Sequence, residues 1–224
     1  MCRREVGISF TQHLQIDHQS GFQANYRKIF SMDECGLKMN EEPGKVVGND
    51  GSSHNFRGEC GTITLIARSS TEGSPVPSYC IVDGKEEEKK KKKKFEEGLL
   101  PGLRVTMTET SAYVTTVMFM DWLRSHFVSR EESGSVLPKL DGHTSHCLEV
   151  NVLDFATEND VILLCLPSHT THHLRPLDRF FLEPLKTFWQ QALNNWIHSN
   201  PGRKIKKLHF KLLPCSKCCV LSFL

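Results

Sequence analysis

Three aspartates stand apart by what surrounds them. Asp33 follows a short apolar and aromatic run, Tyr26 to Met32 (YRKIFSM), and precedes Glu34-Cys35-Gly36. Asp141 closes Val136 to Leu140 (VLPKL) and precedes Gly142-His143, while Asp178 follows the loop Pro167 to Leu177 (PSHTTHHLRPL) and opens a long helical pattern. Two strand ends and one helix start on the same side of a sheet would gather three carboxylates. Clustered like charges in a crevice are costly unless a cation neutralises them, and hard oxygen donors without thiolate select magnesium or manganese over zinc. Two such ions about 3.5 to 4 Å apart clamp an in-line displacement at phosphorus, one activating the attacking oxygen and the other stabilising the leaving oxygen. Phosphodiester hydrolysis or transfer is the chemistry this set suits. A single aspartate near a turn is more often a cap or turn former, so it is the joint placement that points to a site. Glu34 stays outside the set, because adjacent side chains at a strand end point apart.

Holding these residues takes an α/β sheet. YRKIFSM reads as a strand with Gly36 placed to turn the chain after it. Gly61 to Ala67 (GTITLIA) and Ser78 to Val82 (SYCIV) are rich in β-formers and separated by Gly73, Pro75 and Pro77, which predicts an antiparallel pair. Thr115 to Phe127 spaces Val117, Met118, Met120, Trp122, Leu123 and Phe127 as an amphipathic helix started by Thr115 or Thr116. In the strand before Asp141, Pro138 removes one ladder donor. Leu148 to Glu158 reads as a helix with Leu148, Val152, Phe155 and Ala156 inward, and Val161 to Leu166 (VILLCL) as a strand buried on both faces. Strand, helix, strand predicts a right-handed parallel crossover with a crevice at the strands' carboxyl ends, which Asp141 would face. Phe180 to His198 places Leu182, Leu185, Phe188, Trp189, Leu193 and Trp196 at helical spacing, and Asn200-Pro201-Gly202 stops that helix.

The bulk properties bound the answer. With 224 residues and 38% hydrophobic content, the chain suits one ordinary domain plus tails. Lys and Arg (28) nearly balance Asp and Glu (26), so any basic patch must be local. Nine cysteines, an odd number, and no apolar stretch after Met1-Cys2-Arg3-Arg4 predict reduced thiols in cytosol or nucleus rather than a disulfide framework. No apolar run approaches the roughly 20 residues that span a bilayer, so a soluble protein is expected. Lys85 to Glu97 (KEEEKKKKKKFEE) is a charge run that reads as a solvated loop, with phosphate contact by Lys89 to Lys94 as the functional alternative.

The motifs themselves resemble a known family. Met32-Asp33-Glu34-Cys35-Gly36-Leu37 with Pro43-Gly44-Lys45-Val46 after it, Leu140-Asp141-Gly142-His143-Thr144-Ser145-His146, and Leu164 to Asp178 (LCLPSHTTHHLRPLD) running on into Pro184-Leu185-Lys186-Thr187-Phe188-Trp189 are similar to the acidic motifs of pogo/Tigger-like transposases of the DDE superfamily. The resemblance covers roughly residues 22 to 205 and takes in Met107-Thr108-Glu109. It implies a ribonuclease-H-like mixed sheet flanked by helices. It also implies Asp33, Asp141 and Asp178 as catalytic metal ligands for Mg2+ or Mn2+, with transposon-end DNA as substrate and nuclear residence. His143, His146, His172 and Lys186 would be accessory. A homodimer is compatible with this reading, and membrane association is not expected. The organisation expected is a remnant connector over 1–21, the endonuclease domain over 22–200, and a basic, cysteine-bearing tail over 201–224. Nothing before Tyr26 supplies the family's helix-turn-helix region, Arg175 stands where a glutamine is expected, and the family extends further beyond the last helix. End recognition is therefore expected to be lost, and the alternative function is a catalytically inactive nucleic-acid or protein interaction module.

Other residues admit a sharper and a plainer reading. His143, His146, His169, His172 and His173 have spacings a zinc site would use, but more simply orient the acidic centre, contact a phosphate or satisfy loop backbone. Cys215, Cys218 and Cys219 lack a second pair at zinc-ribbon distance. Trp122, Trp189 and Trp196 could stack on bases, yet their place on apolar helix faces favours core packing. Arg203-Lys204-Ile205-Lys206-Lys207 could grip phosphates or serve nuclear import.

Overall fold

Runs of β-branched and apolar residues bounded by glycine and proline build the strands, and a computed structural model shows how they pair. It describes residues 28–39, 61–70, 76–83, 99, 102–108, 112–131, 134–141, 149–166, 177–201, 203 and 205–212. The strands β1 (Ile29–Lys38), β2 (Thr62–Ser70), β3 (Tyr79–Asp83), β4 (Arg104–Thr108), β5 (Leu137–Asp141) and β6 (Leu164–Leu166) form a six-stranded sheet in the order β4-β3-β2-β1-β5-β6. β2 and β3 are antiparallel, as expected, with Ile63 opposite Val82. The β1–β5, β5–β6 and β3–β4 pairs are parallel. Helices α1 (Thr116–Trp122), α2 (Val150–Glu158) and α3 (Glu183–Ser199) complete the mixed α/β architecture that the sequence predicts.

Several local expectations are corrected. Gly36 does not turn the chain: β1 runs through it to Lys38, and a Cβ at Gly36 would make ordinary contact with the Thr62 methyl at 3.4 Å. Asp33 is therefore the fifth residue of a ten-residue strand rather than its last. The reason lies in its neighbours, since β1 has β5 on one side and β2 on the other, and pairing with β2 prolongs it after β5 has ended. β4 escaped the sequence reading because Arg104-Val105-Thr106-Met107-Thr108 is five residues long and weakly apolar.

Val161 to Leu166 is not a strand buried on both faces. It shrinks to the three-residue outer strand β6, and Ile162 is 39% exposed. Pro138 explains the shortening. Val136 bridges Val161, donating to Asp160 O and accepting from Ile162 N, and the same register resumes at Lys139 opposite Leu164. Parallel ladders alternate sides residue by residue, so Pro138 is the next to face β6, and it has no N–H to give. The ladder breaks at that step.

The chain divides into two compact units, residues 1–33, 68–76 and 115–179 in the first and 34–67, 77–114 and 180–224 in the second. In the first, Thr115 caps α1 by accepting from Met118 N, and a π-helical turn at Leu123–Phe127 prolongs it. Phe119, Trp122, Leu123, His126 and Phe127 make one buried stripe at i, i+3, i+4, i+7 and i+8. Val117, expected inward, is 79% exposed because it lies about 200° round the helix from Phe119. The rings of Phe119, Trp122, Phe127 and Phe30 of β1 form a chain with centroids 5.3 to 5.4 Å apart. Each such burial contributes about 1.5–3 kcal/mol. α2 turns Val152 and Ala156 inward, with Phe155 half-buried under Arg124.

In the second unit α3 buries Leu185, Trp189, Ala192 and Leu193, while Phe188, at the stripe's margin, is half exposed. Trp189 donates its indole N–H to Lys38 O at 2.9 Å and lies against Phe210. Trp196 is covered by the His209 ring at 4.7 Å. Trp122 and Trp189 thus pack in the core as the plainer reading expects, while Trp196 is half-buried.

One backbone position carries a sharp expectation. Gly134, ahead of β5, has φ +110°, where an L side chain is strained. Gly134→Ala is expected to lower stability by about 1–2 kcal/mol in urea unfolding. An unchanged midpoint would mean that this turn relaxes without cost.

Candidate active site

The ladder between β1 and β5 sets the geometry of the acidic residues. Ile29 pairs with Leu137, Phe30 with Pro138 and Ser31 with Lys139. Carried two residues further, the same register brings position 33 level with position 141, where β5 ends. Asp33 therefore lies at the carboxyl end of its parallel neighbour although β1 itself continues. Adjacent strands are about 4.8 Å apart, so the two positions are within the span that shared cations need. Asp33 is buried, with 8% exposure. Asp178 is half-buried and opens the π-helical turn Asp178–Leu182 that leads into α3, as the helical pattern predicts. All three aspartates fall within the first compact unit.

The donors available are carboxylate oxygens, the type that holds hard divalent cations. Among the described residues no three His, Cys, Asp or Glu side chains gather closely enough to hold an ion. The Asp141 side chain lies outside that description, as do His143, His146, His169, His172 and His173. The Lys85 to Glu97 run, residues 1–21 and Cys215, Cys218 and Cys219 likewise lie outside the described residues. Lys186 is exposed on α3. Cys80 is no thiolate ligand, since burial in β3 pushes its thiol pKa up and keeps the proton on sulfur.

The same face of β1 and β5 is graded in polarity. Ile29 and Leu137 form a buried cluster with Leu164 of β6; Ser31 and Lys139 come next along the strands; Asp33 and Asp141 follow. Sequence reading passed over Lys139, although a lysine inside VLPKLD, two residues before Asp141, was visible as a break in an apolar run. Behind β1, Arg68 is missed for another reason: its partners are distant in sequence. Its guanidinium lies 5.2 Å from the Phe30 ring centroid and 4.7 Å from that of Phe127, and donates to Glu131 Oε1 at 2.8 Å. Burial lowers its pKa and Glu131 partly restores it. The Arg68 assembly thus anchors the strand that bears Asp33.

Lys207, read from sequence as part of a phosphate-gripping tail, is committed elsewhere. Its Nζ lies 2.7 Å from Asp83 Oδ1 and donates to Asp83 O at 2.9 Å, crossing Gly61 on the way. It ties the C-terminal segment to β3.

Residues 61–224 match the family model of the DDE superfamily endonucleases. The chain belongs to that family. The matched span of this DDE endonuclease chain includes Asp141 and Asp178 and begins after Asp33. A curated relative, an MFS-type transporter named clz9 from Cochliobolus lunatus, is 24% identical in an alignment of 217 positions that covers 90% of this chain and 22% of that protein. The DDE endonuclease chain thus spans about a fifth of that relative's length, and among its own described residues no helix is long and apolar enough to cross a membrane. A Mos1 transposase paired-end complex with the left transposon end overlaps 100% of the chain and 64% of its own, at 11% identity and a TM-score of 0.47. A Mos1 mariner paired-end complex with Mn overlaps 98% and 62%, at 11% identity and a TM-score of 0.44.

Proposed function

We propose that this DDE endonuclease chain is a transposase-derived catalytic domain that cleaves and joins DNA strands with two divalent ions held by Asp33, Asp141 and Asp178. The observation that supports it most is the parallel β1–β5 register, in which Ser31 lies opposite Lys139, each two residues before one of the first two aspartates, with the third heading the helical turn of the same unit. When bound, Mg2+ or Mn2+ would supply charge neutralisation at the phosphoryl oxygens and a lowered pKa for the attacking water or hydroxyl. The protein's part is placement. β1 and β5 are inner strands of the sheet, so pairing on both sides fixes the backbone at positions 33 and 141, and the Arg68 assembly stiffens β1 from behind. Asp178, which opens a helical turn, would complete the set. His143, His146 and His172, next to the acidic motifs in sequence, and the exposed Lys186 would contact phosphate. A basic contact of this kind binds the backbone of any DNA sequence and weakens steeply with salt. Nuclear residence and a homodimer that pairs two DNA ends are part of the same reading.

The test is a nicking assay on duplex DNA with the intact chain and Asp141→Asn, each with chelator, Mg2+ or Mn2+. Nicking that needs the ion and vanishes in the variant supports the proposal. Nicking that survives in the variant overturns it, and ion-dependent DNA binding without cleavage would leave an interaction module.

A further inference from the structure

We propose that Lys139 is a built-in counter-ion of the acidic centre, a positioning residue whose ammonium holds the carboxylates together in the metal-free protein and competes with the first divalent ion. The inference rests on the assignment of Asp33 and Asp141 as metal ligands.

Lys139 stands opposite Ser31 on β1, and Ser31 is two residues before Asp33. Residues two apart on a strand share a face, so Lys139, Asp33 and position 141 belong to one face of the sheet. The buried cluster of Ile29, Leu137 and Leu164 identifies that face, because Leu164 is the β6 partner of Lys139 itself. From Lys139 Cα the diagonal to Asp33 Cα is about 8 Å on standard strand spacings, within the combined reach of a lysine and an aspartate. Position 139 therefore has apolar neighbours on one side and Asp33 on the other. A lysine suits both, with its methylene stem along Leu137 and Leu164 and its charged end toward the carboxylates. Lys139 is only half-buried, so the ammonium keeps part of its hydration and the pairing stays reversible.

The chemical logic is that of a site which must survive empty. Two carboxylates on adjacent strands repel, and Asp33 is too buried for water to screen that repulsion fully. A fixed positive charge relieves it without metal. The same charge opposes an arriving divalent ion, so it raises the metal concentration at which the centre fills.

The experiment is calorimetric titration of Mn2+ into the full chain, Lys139→Met, Lys139→Gln, Lys139→Arg and Asp141→Asn, with the melting temperature of each recorded with and without Mn2+. The two uncharged variants are expected to bind Mn2+ roughly tenfold more tightly or better, as removal of a unit charge beside a divalent ion implies. They should also melt lower without metal and gain more from Mn2+ than the parent does. Lys139→Arg, keeping the charge, should bind within about threefold of the parent by the same Coulomb argument. Unchanged affinity in Lys139→Met and Lys139→Gln, with binding lost in Asp141→Asn, would overturn the role of Lys139 and leave the metal centre standing. Absence of binding in every chain, the uncharged variants included, would overturn both. Should the methionine variant fail to fold, the glutamine variant, polar and of similar length, decides the matter.

Discussion

Asp33→Asn is expected to weaken divalent-ion binding, and with it DNA nicking, by at least about a hundredfold. Substitutions that merely disturb the hydrogen bonds behind a metal ligand already cost about 10- to 100-fold, so loss of a ligand's charge should cost no less. Asp33 is nearly inaccessible, which leaves little room for water to replace the missing oxygen ligand. The carboxamide has the same shape, and the neighbours Phe30 and Met32 that fix β1 are untouched. Far-ultraviolet circular dichroism should therefore be unchanged and the metal-free melting temperature should move by only a few degrees, as for a change of about 1 kcal/mol. Titration of Mn2+ into the variant checks the prediction, and affinity within threefold of the parent would remove Asp33 from the ligand set. Because the family match begins at residue 61, this variant tests the one aspartate of the three that lies outside the matched span.

The second large effect lies behind the site. Glu131→Gln leaves the Arg68 guanidinium buried without its ionic partner; the side chains are 2% and 16% exposed and joined at 2.8 Å. Breaking a buried pair from one side costs about 3–5 kcal/mol. The lower end applies here, because Glu131 is partly wet and the rings of Phe30 and Phe127 hold the cation from both sides. A loss of about 3 kcal/mol would lower the melting temperature by roughly 6–12 °C in a chain of this size. Arg68→Met should cost less, since it removes the charge that needs a partner while keeping an apolar stem against the rings. The double variant is expected to be milder than the sum of the two single ones. Urea unfolding of the four proteins measures this directly, and additivity within about 0.3 kcal/mol would show that the pair is not coupled.

Some of this was readable before any coordinates. The hydrophobic spacing from Thr115 to Phe127 marks a helix because side-chain burial repeats at the helical period, and the cap at Thr115 follows from its hydroxyl. The antiparallel pairing of β2 with β3 was readable for a similar reason, since both strands are β-rich and close in sequence. The motifs around Asp33, Asp141 and Asp178 led to the family without any structure, because the order of acidic residues along the chain is a property of sequence.

What sequence could not decide were quantities set by neighbours far along the chain. Whether β1 stops at Gly36 or runs to Lys38 depends on β2, which continues beside it after β5 has ended. Whether Val161 to Leu166 is an inner strand or a short outer one depends on a missing N–H in Pro138, on a different strand. Val117 and Phe188 look apolar and inward in a helical count, but the burial stripe is fixed by what packs against it. Arg68 drew no reading from sequence, because Phe30, Phe127 and Glu131 come around it only in the fold, and Lys207 reads as a free basic residue until Asp83 holds it. Sequence by itself determined the kind of chemistry, through residue types and their order. Tertiary structure decided which charges share a face, because pairing register brings Lys139 and Asp33, 106 residues apart, onto one side of the sheet.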